Sequence, residues 1–256
     1  MNALIPMAGA GSRFKEKGYL TPKPLLPILG MPMVVNAANA LPPSQQYVFV
    51  VRDFQLEEYQ IDEHLKSHFK SSEIVTLNQL TEGQASSCLA AKDLINNDEE
   101  LIIGASDNGM IYNQIDFVNS SKDADALVFT FRNNPTVLEK PEAYAWAKCN
   151  VSNQIEKVSV KKPISHFPMN DHAVVGTFWF KRGSLFVDAA ERMIAMNRRV
   201  NNEFYVDECI NDVIEMGYKV NIFEIQHYVC WGTPNDYETF NYWNNWFEIR
   251  NKKFTY

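Results

Sequence analysis

The sequence predicts an α/β protein, a mostly parallel mixed sheet with helices on both faces. Three observations carry that expectation. Apolar runs of strand length alternate with helical patterns over the first half of the chain. A glycine-rich turn follows the first of those runs directly. Beyond Phe131 the texture changes to strands separated by turns, as in a more antiparallel subregion built onto the same sheet.

Taken in order, Ala3–Met7, Tyr47–Val51, Glu73–Leu77, Leu101–Ala105 and Ala126–Phe131 have the apolar, β-branched and aromatic content of buried strands. Helical spacing fits Met33–Leu41, Leu56–His68, Ala85–Ile95 and Asp116–Ser120 between them. In the second half Tyr144–Val151, Gln154–Val160 and Ala173–Phe180 read as strands, followed by helices at Leu185–Met196 and Val206–Met216. A strand at Lys219–Ile225 and an aromatic-rich helix from Asn235 to about Ile249 close the chain. There is no internal repeat and no Gly- or Ser-rich linker, so residues 1–256 read as a single domain.

Hydrophobic residues make up 46% and charged residues 21% of the 256, a balance that provides a sizeable core and excludes disorder and collagen. The net charge of −7 argues against a nucleic-acid or anionic-membrane binder held by phosphate neutralisation, so a phosphate site must be locally basic. No run of about 18 apolar residues and no basic leader pattern occur, and a cytoplasmic chain is the expectation. Cys88, Cys149, Cys209 and Cys230 form no CxxC pair and read as reduced thiols. His64 and His68 stand four apart with no third ligand near them, the pattern of a solvated helix face.

The strongest local signal is Ala8-Gly9-Ala10-Gly11-Ser12-Arg13. Glycines after a strand let backbone amides turn inward with no side chain in the way, which makes a nest for an anion. A dinucleotide GxGxxG would need glycine where Phe14 stands, and a Walker loop would need Gly-Lys-Ser/Thr; neither is present. Thr21-Pro22-Lys23-Pro24 follows, and prolines on both sides present Lys23 from a stiff extended segment. Arg13, Lys15, Lys17 and Lys23 outnumber Glu16 here, a local positive excess in an acidic chain.

Pro6-Met7-Ala8-Gly9-Ala10-Gly11-Ser12-Arg13-Phe14, Pro22-Lys23-Pro24-Leu25-Leu26-Pro27 and Gly30-Met31-Pro32-Met33 together resemble the signature of the sugar-phosphate nucleotidylyltransferases, also called nucleoside-diphosphate-sugar pyrophosphorylases. Ala8 replaces the family's first glycine and leaves the Gly9, Gly11 and Arg13 pattern intact. The resemblance implies a Rossmann-like, glycosyltransferase-A-like three-layer sandwich, with residues 1–131 as the nucleotide-binding part and 132–256 as the acceptor-binding part and closing helix. It assigns the loop Ala8, Gly9, Ala10, Gly11 and Ser12 to the nucleoside triphosphate, and charge compensation to Arg13 and Lys23.

Weaker marks extend it. Asp107 ends an apolar run at the carboxyl edge of a strand and, by the resemblance, is the Mg²⁺ ligand, although Asp-Asn-Gly is also good turn composition. Gly83 in Thr81-Glu82-Gly83-Gln84-Ala85 corresponds to the glycine that lies against the base, and Asn78 or Gln79 would read a base edge. Lys162 in Lys161-Lys162-Pro163 corresponds to the lysine on the acceptor phosphate, Gly176 to backbone against the sugar, and Glu203 beside Tyr205 to the residue holding its hydroxyls. Each has an ordinary reading as well: a solvated lysine, a bulge glycine, a turn glutamate. One departure stands out. Cys230 occupies the position of the family's second metal-binding aspartate, and a neutral thiol is a poor ligand for a hard cation. Asp107 with phosphates and water, a second carboxylate from Asp207 or Asp236, or weakened catalysis would each account for it.

The reaction so implied is attack of a sugar 1-phosphate oxygen on the α-phosphorus of a nucleoside triphosphate, releasing pyrophosphate, in the usual setting of polysaccharide building. Because the attacking phosphate is already an anion, the protein has to align two polyanions and neutralise charge, and needs no nucleophilic side chain. Two alternatives remain: a cytidylyltransferase acting on a small alcohol phosphate such as phosphocholine, and a non-catalytic nucleotide-binding regulator on the same fold. A quaternary ammonium wants an aromatic cage, to which Trp146, Trp179 and Trp231 could contribute, whereas sugar hydroxyls suit Glu203.

Overall fold

A computed structural model describes the backbone of residues 1–254 and the side chains of residues 1–250. A nine-stranded sheet forms the middle layer. Its strands are β1 (Asn2–Pro6), β2 (Gln46–Arg52), β3 (Ser72–Leu77), β4 (Leu101–Ile103), β5 (Ala126–Phe131), β6 (Ala145–Cys149), β7 (Ile155–Val160), β8 (His172–Phe180) and β9 (Val220–Glu224). They run in the order β7-β6-β8-β4-β1-β2-β3, and β5 pairs with β8 and carries β9 on its other edge. β1 is parallel to β2 and β4, with Leu4 opposite Val48 and Ile103, and β2 is parallel to β3. β8 reverses the direction, pairing antiparallel with β4, β5 and β6, while β9 runs parallel to β5.

Why Ala3, Leu4 and Ile5 of β1 are all apolar follows from the layers: their side chains alternate between two separate cores. Leu4 points into one, packed with Ala85, Cys88, Phe186 and Ile210 from helices on that face. Ala3 and Ile5 point into the other, with Val34, Val35, Leu65 and Phe117. A strand covered on both faces needs no polar alternation. Trp146 and Trp179 are fully buried in the second core, and Trp231 lies in a third, smaller cluster with Phe14 and Tyr237.

The structure departs from the expected elements in four places. The helix expected at Leu56–His68 is two, Asp53–Glu57 and Ile61–His68, separated where Gln60 takes a left-handed conformation (φ 49°). The one expected at Ala85–Ile95 is likewise Gln84–Leu89 and Lys92–Ile95. The helix at Asp116–Ser120 is longer, Gln114–Lys122, because the Asn113 carboxamide oxygen accepts from the amides of Ile115 (2.8 Å) and Asp116 (3.3 Å). Most consequential is Asn108-Gly109, which is not a turn but the start of a strand, Asn108–Ile111, paired antiparallel with His227–Cys230. Gly109 serves packing there: a Cβ would stand 2.9 Å from the Trp231 ring. This ribbon sets Cys230 opposite Asn108, next to Asp107.

Candidate active site

The loop between β1 and the short helix Ser12–Glu16 borders a cleft of about 600 Å³. Gly9, Ala10, Gly11, Ser12, Arg13 and Lys23 all line it. Gly11 sits at φ +61°, a conformation glycine adopts without strain, and turns the chain into the helix. Among the described residues, the amides of Ala8 through Arg13 donate no hydrogen bond within the chain, so they are free for an anion. Ala8 is buried, its methyl group packed in the core.

Pro22 is extended, with the φ of −54° that its ring imposes and a ψ of 137°, but Lys23 begins a single 3₁₀ turn, Lys23–Leu25, rather than an extended segment. That turn carries Lys23 across the cleft to Asp107. Its ammonium donates to the Asp107 carboxylate and to the carbonyl oxygen of Gly232 (3.0 Å). Burial works to raise the Asp107 pKa, yet the charge and hydrogen bond of Lys23, with help from Arg13, hold it below the usual carboxylate range.

Behind Asp107, the Cys230 thiol accepts from the Gly232 amide (3.3 Å) and donates to Asp236 (3.4 Å). Burial first, then the carboxylates of Asp107 and Asp236, push this thiol up to about 12, so it is neutral. Asp236 is occupied as well. Its Oδ2 accepts from the Thr233 amide (3.1 Å) and hydroxyl (2.6 Å), while the Thr233 hydroxyl accepts from the Asp236 amide (3.2 Å). Thr-Pro-Asn-Asp thus caps the closing helix Pro234–Phe254. Among the described residues no three of His, Cys, Asp and Glu gather as a metal cluster. Mg²⁺ commonly takes one or two carboxylates and completes its shell with water and substrate phosphates, so Asp107 alone fits that mode of binding.

A second recess opens on the far side of Arg13, Asp107 and Gly232, which border both spaces. Lys162 is exposed and does not line the recess, whereas Lys161 does. The cause is a left-handed backbone at Lys161 (φ 58°) immediately after β7, which redirects the chain. The Lys161 ammonium lies 5.5 Å from the Tyr205 ring centroid and donates to the Ala143 carbonyl oxygen. Burial lowers its pKa, opposed by the carboxylate of Asp207, which lines the same recess and is itself pushed by burial up to about 6. Gly176 lines the recess at φ +89°, at a register shift in β8, so it is a bulge glycine as well. Tyr205 lines it too, its phenol raised by burial and by neighbouring Glu203. Glu203 itself borders the main cleft and the space beside the glycine loop.

That third space is walled by Ala8, Gly9, Ala10, Leu80, Thr81, Gly83, Gln84 and Ser87. Gln79 is exposed and outside it, because β3 ends at Leu77 and the chain leaves the sheet; the amide side chain that does line it is Gln84. Gly83 (φ +131°) makes a close approach, but to protein: a Cβ would lie 2.5 Å from the Phe204 amide nitrogen and carbonyl oxygen. Phe204 donates to the Glu82 carbonyl oxygen (2.8 Å) and accepts from the Ala85 amide (2.9 Å). Trp146, Trp179 and Trp231 line none of these spaces. Of the residues the sequence left unassigned, Gln84 was signalled by its place after Gly83. Lys161 carried no signal, since a left-handed lysine is invisible in composition and spacing.

Residues 2–244 match the sequence model of the nucleotidyl transferase family. The bifunctional protein GlmU of Methanococcus maripaludis is 24% identical over 231 residues, which are 89% of this chain and 50% of that protein. The chain therefore spans about half the length of that relative. Among solved structures, the nucleoside-diphosphate-sugar pyrophosphorylase of Vibrio cholerae superposes with a TM-score of 0.76 at 21% identity, over 93% of this chain and 98% of that one. The inositol-1-phosphate CTP transferase of T. maritima gives 0.70 at 14% identity, over 92% and 90%. At these identities the superpositions establish the fold.

Proposed function

Since the chain belongs to the nucleotidyl transferase family, we propose that it joins a nucleoside triphosphate to a sugar 1-phosphate, giving a nucleoside-diphosphate sugar and pyrophosphate. One observation carries this reading. Two recesses meet at Arg13 and Asp107, one walled by the glycine loop and the other by Lys161, Gly176 and Tyr205. A reaction between two phosphorylated substrates needs that plan, with both held against a shared seam of charge.

In this reading the free amides of Gly9 to Ser12 cradle the triphosphate, and Arg13 and Lys23 neutralise the charge that develops as the α-phosphorus is attacked. Lys23 is already poised, because triphosphate oxygens compete with Asp107 for its ammonium. Asp107, so released, would hold Mg²⁺ together with substrate phosphates; when bound, the ion supplies further charge neutralisation at the reacting phosphates. Gln84 and Gly83 border the space for the base, in place of Gln79. Lys161 takes the role expected of Lys162 and meets the acceptor phosphate, while Gly176, Tyr205 and Asp207 border the acceptor's body. The burial of all three candidate cage tryptophans favours a hydroxylated acceptor over phosphocholine.

The test is a matrix of nucleoside triphosphates against sugar 1-phosphates and alcohol phosphates, with Mg²⁺, read as pyrophosphate release. We expect at least one sugar 1-phosphate to support turnover. Release with phosphocholine and with no sugar phosphate would refute the acceptor class, and no release with any pair would refute catalysis.

A further inference from the structure

We propose that Lys161 makes the acceptor recess select against phosphate esters that carry a cationic head, by seating the protein's own ammonium on the ring of Tyr205. The inference rests on the transferase reading above and concerns which acceptors that site admits.

An aromatic face in a ligand recess can receive a cation from the ligand or one from the protein. In this recess the second has happened. Lys161 reaches Tyr205 from a left-handed backbone position that disfavours any side chain with a Cβ, so the chain tolerates local strain to aim it there. Its hydrogen bond to the Ala143 carbonyl oxygen fixes the ammonium without neutralising it. Among the described residues it makes no ion pair, so its charge faces the recess.

The other two tyrosines are poor substitutes. Tyr228 is stacked on Phe131, ring centroids 4.2 Å apart and 9° from parallel, which covers one of its faces. Tyr144 is packed in edge geometry with both Phe131 and Trp146. No tryptophan reaches the space. Of the carboxylates that line the recess, Asp107 is paired with Lys23 and Asp236 accepts from Thr233, so Asp207 is the counter-ion a quaternary ammonium would find there, and Lys161 stands beside it. With Lys161 present, an incoming trimethylammonium meets a like charge where a cage would need an open ring. A neutral, hydroxylated head meets donors and acceptors on both sides.

The prediction separates head-group selection from phosphate binding. Glycerol 3-phosphate and phosphocholine are similar in size and carry the same phosphate monoester, but differ in the charge of the head. Their dissociation constants for the full chain, by isothermal titration calorimetry, should differ at least tenfold in favour of glycerol 3-phosphate. In Lys161→Met both bind more weakly through loss of the phosphate contact, and the ratio falls to within about threefold. Lys161→Gln, which keeps a polar tip, should behave likewise, and Lys157→Met, an exposed charge on β7, should leave both constants unchanged. Melting curves confirm that each variant is folded. A parent protein that binds phosphocholine as well as glycerol 3-phosphate, binds neither, or keeps its ratio in both Lys161 variants overturns the proposal. Pyrophosphate release by the parent is scored separately. If it is present while the ratio does not move, selection by Lys161 fails and the transferase reading stands; if it is absent while the ratio moves, the reverse holds.

Discussion

Replacing Lys23 by alanine removes a side chain that ties the carboxyl edge of β4 to the loops around it. Its ammonium bridges the Asp107 carboxylate and the Gly232 carbonyl oxygen. A hydrogen bond to a charged group contributes about 1.5–3 kcal/mol, and Lys23 and Asp107 are 15% and 29% exposed, so solvent screening reduces the pair to about 1–2 kcal/mol. At about 2–4 °C per kcal/mol for a chain of this size, Lys23→Ala should melt roughly 2–8 °C lower at neutral pH. The sign of the pH dependence follows from Asp107, whose pKa is depressed in the folded protein. Its contribution is complete above the unfolded value of about 3.9 and is lost as pH falls through the folded value. The gap between parent and variant should therefore be widest at pH 6–7 and close below about pH 4. On the proposed role of the same ammonium at the triphosphate, turnover should fall at least about tenfold. Differential scanning fluorimetry across pH and a pyrophosphate-release assay check the two limbs. Parent-like turnover together with a pH-independent gap would show that Lys23 belongs to neither the pair nor the phosphate site.

Asp107→Asn keeps the size of the side chain and loses its charge, so Mg²⁺-dependent pyrophosphate release should be abolished while metal-free nucleotide binding, measured by calorimetry, persists. Cys230→Ser should cost far less activity; with its pKa pushed up to about 12, the Cys230 thiol should also resist alkylation by iodoacetamide at pH 7–8, read by mass spectrometry after digestion. Gly83→Ala must relieve both a φ of +131° and contacts of 2.5 Å with the Phe204 backbone, so it should lose at least about 2 kcal/mol of stability, a melting shift of about 5 °C or more. Asp212, fully buried and paired with Arg192 (2.8 Å) and Arg198 (3.3 Å), should cost about 1.5–3 kcal/mol as Asp212→Ala in urea unfolding, the value of a hydrogen-bonded charged contact, because both arginines keep Glu215 as a partner (3.0 and 2.7 Å).

Much of this was legible in the sequence, and the reasons differ by region. Strands buried on both faces, such as β1 and β5, announce themselves as unbroken apolar runs, and the loop after β1 stood out because glycine has few other uses there. The Asn108–Ile111 ribbon was hidden because Asp-Asn-Gly is ordinary turn composition, and only the Trp231 ring above Gly109 explains the glycine. Gln79 and Lys162 illustrate a different limit. Both lie just past the end of a strand: the chain has left the sheet after Leu77 before it reaches Gln79, and a left-handed Lys161 changes which lysine faces the recess. Motif spacing found the neighbourhood, and backbone geometry selected Gln84 and Lys161.

The missing Cβ of Gly83 also bears on how such a cleft can be modified. Glu82 and Ala85 are hydrogen-bonded to Phe204 from either side, Arg199 reaches back to Glu82 at 2.8 Å, and Glu203 stands beside the seam. The segment that walls the space beside the glycine loop and the segment that carries Glu203 are therefore a single interlocked cassette despite more than a hundred intervening residues. Transplanting residues 197–204 from a relative, to reshape the space beside the glycine loop, would bring in a foreign main-chain path that Gly83 and its neighbours no longer fit. The workable unit of exchange includes residues 81–85 as well, so the two segments are inherited together.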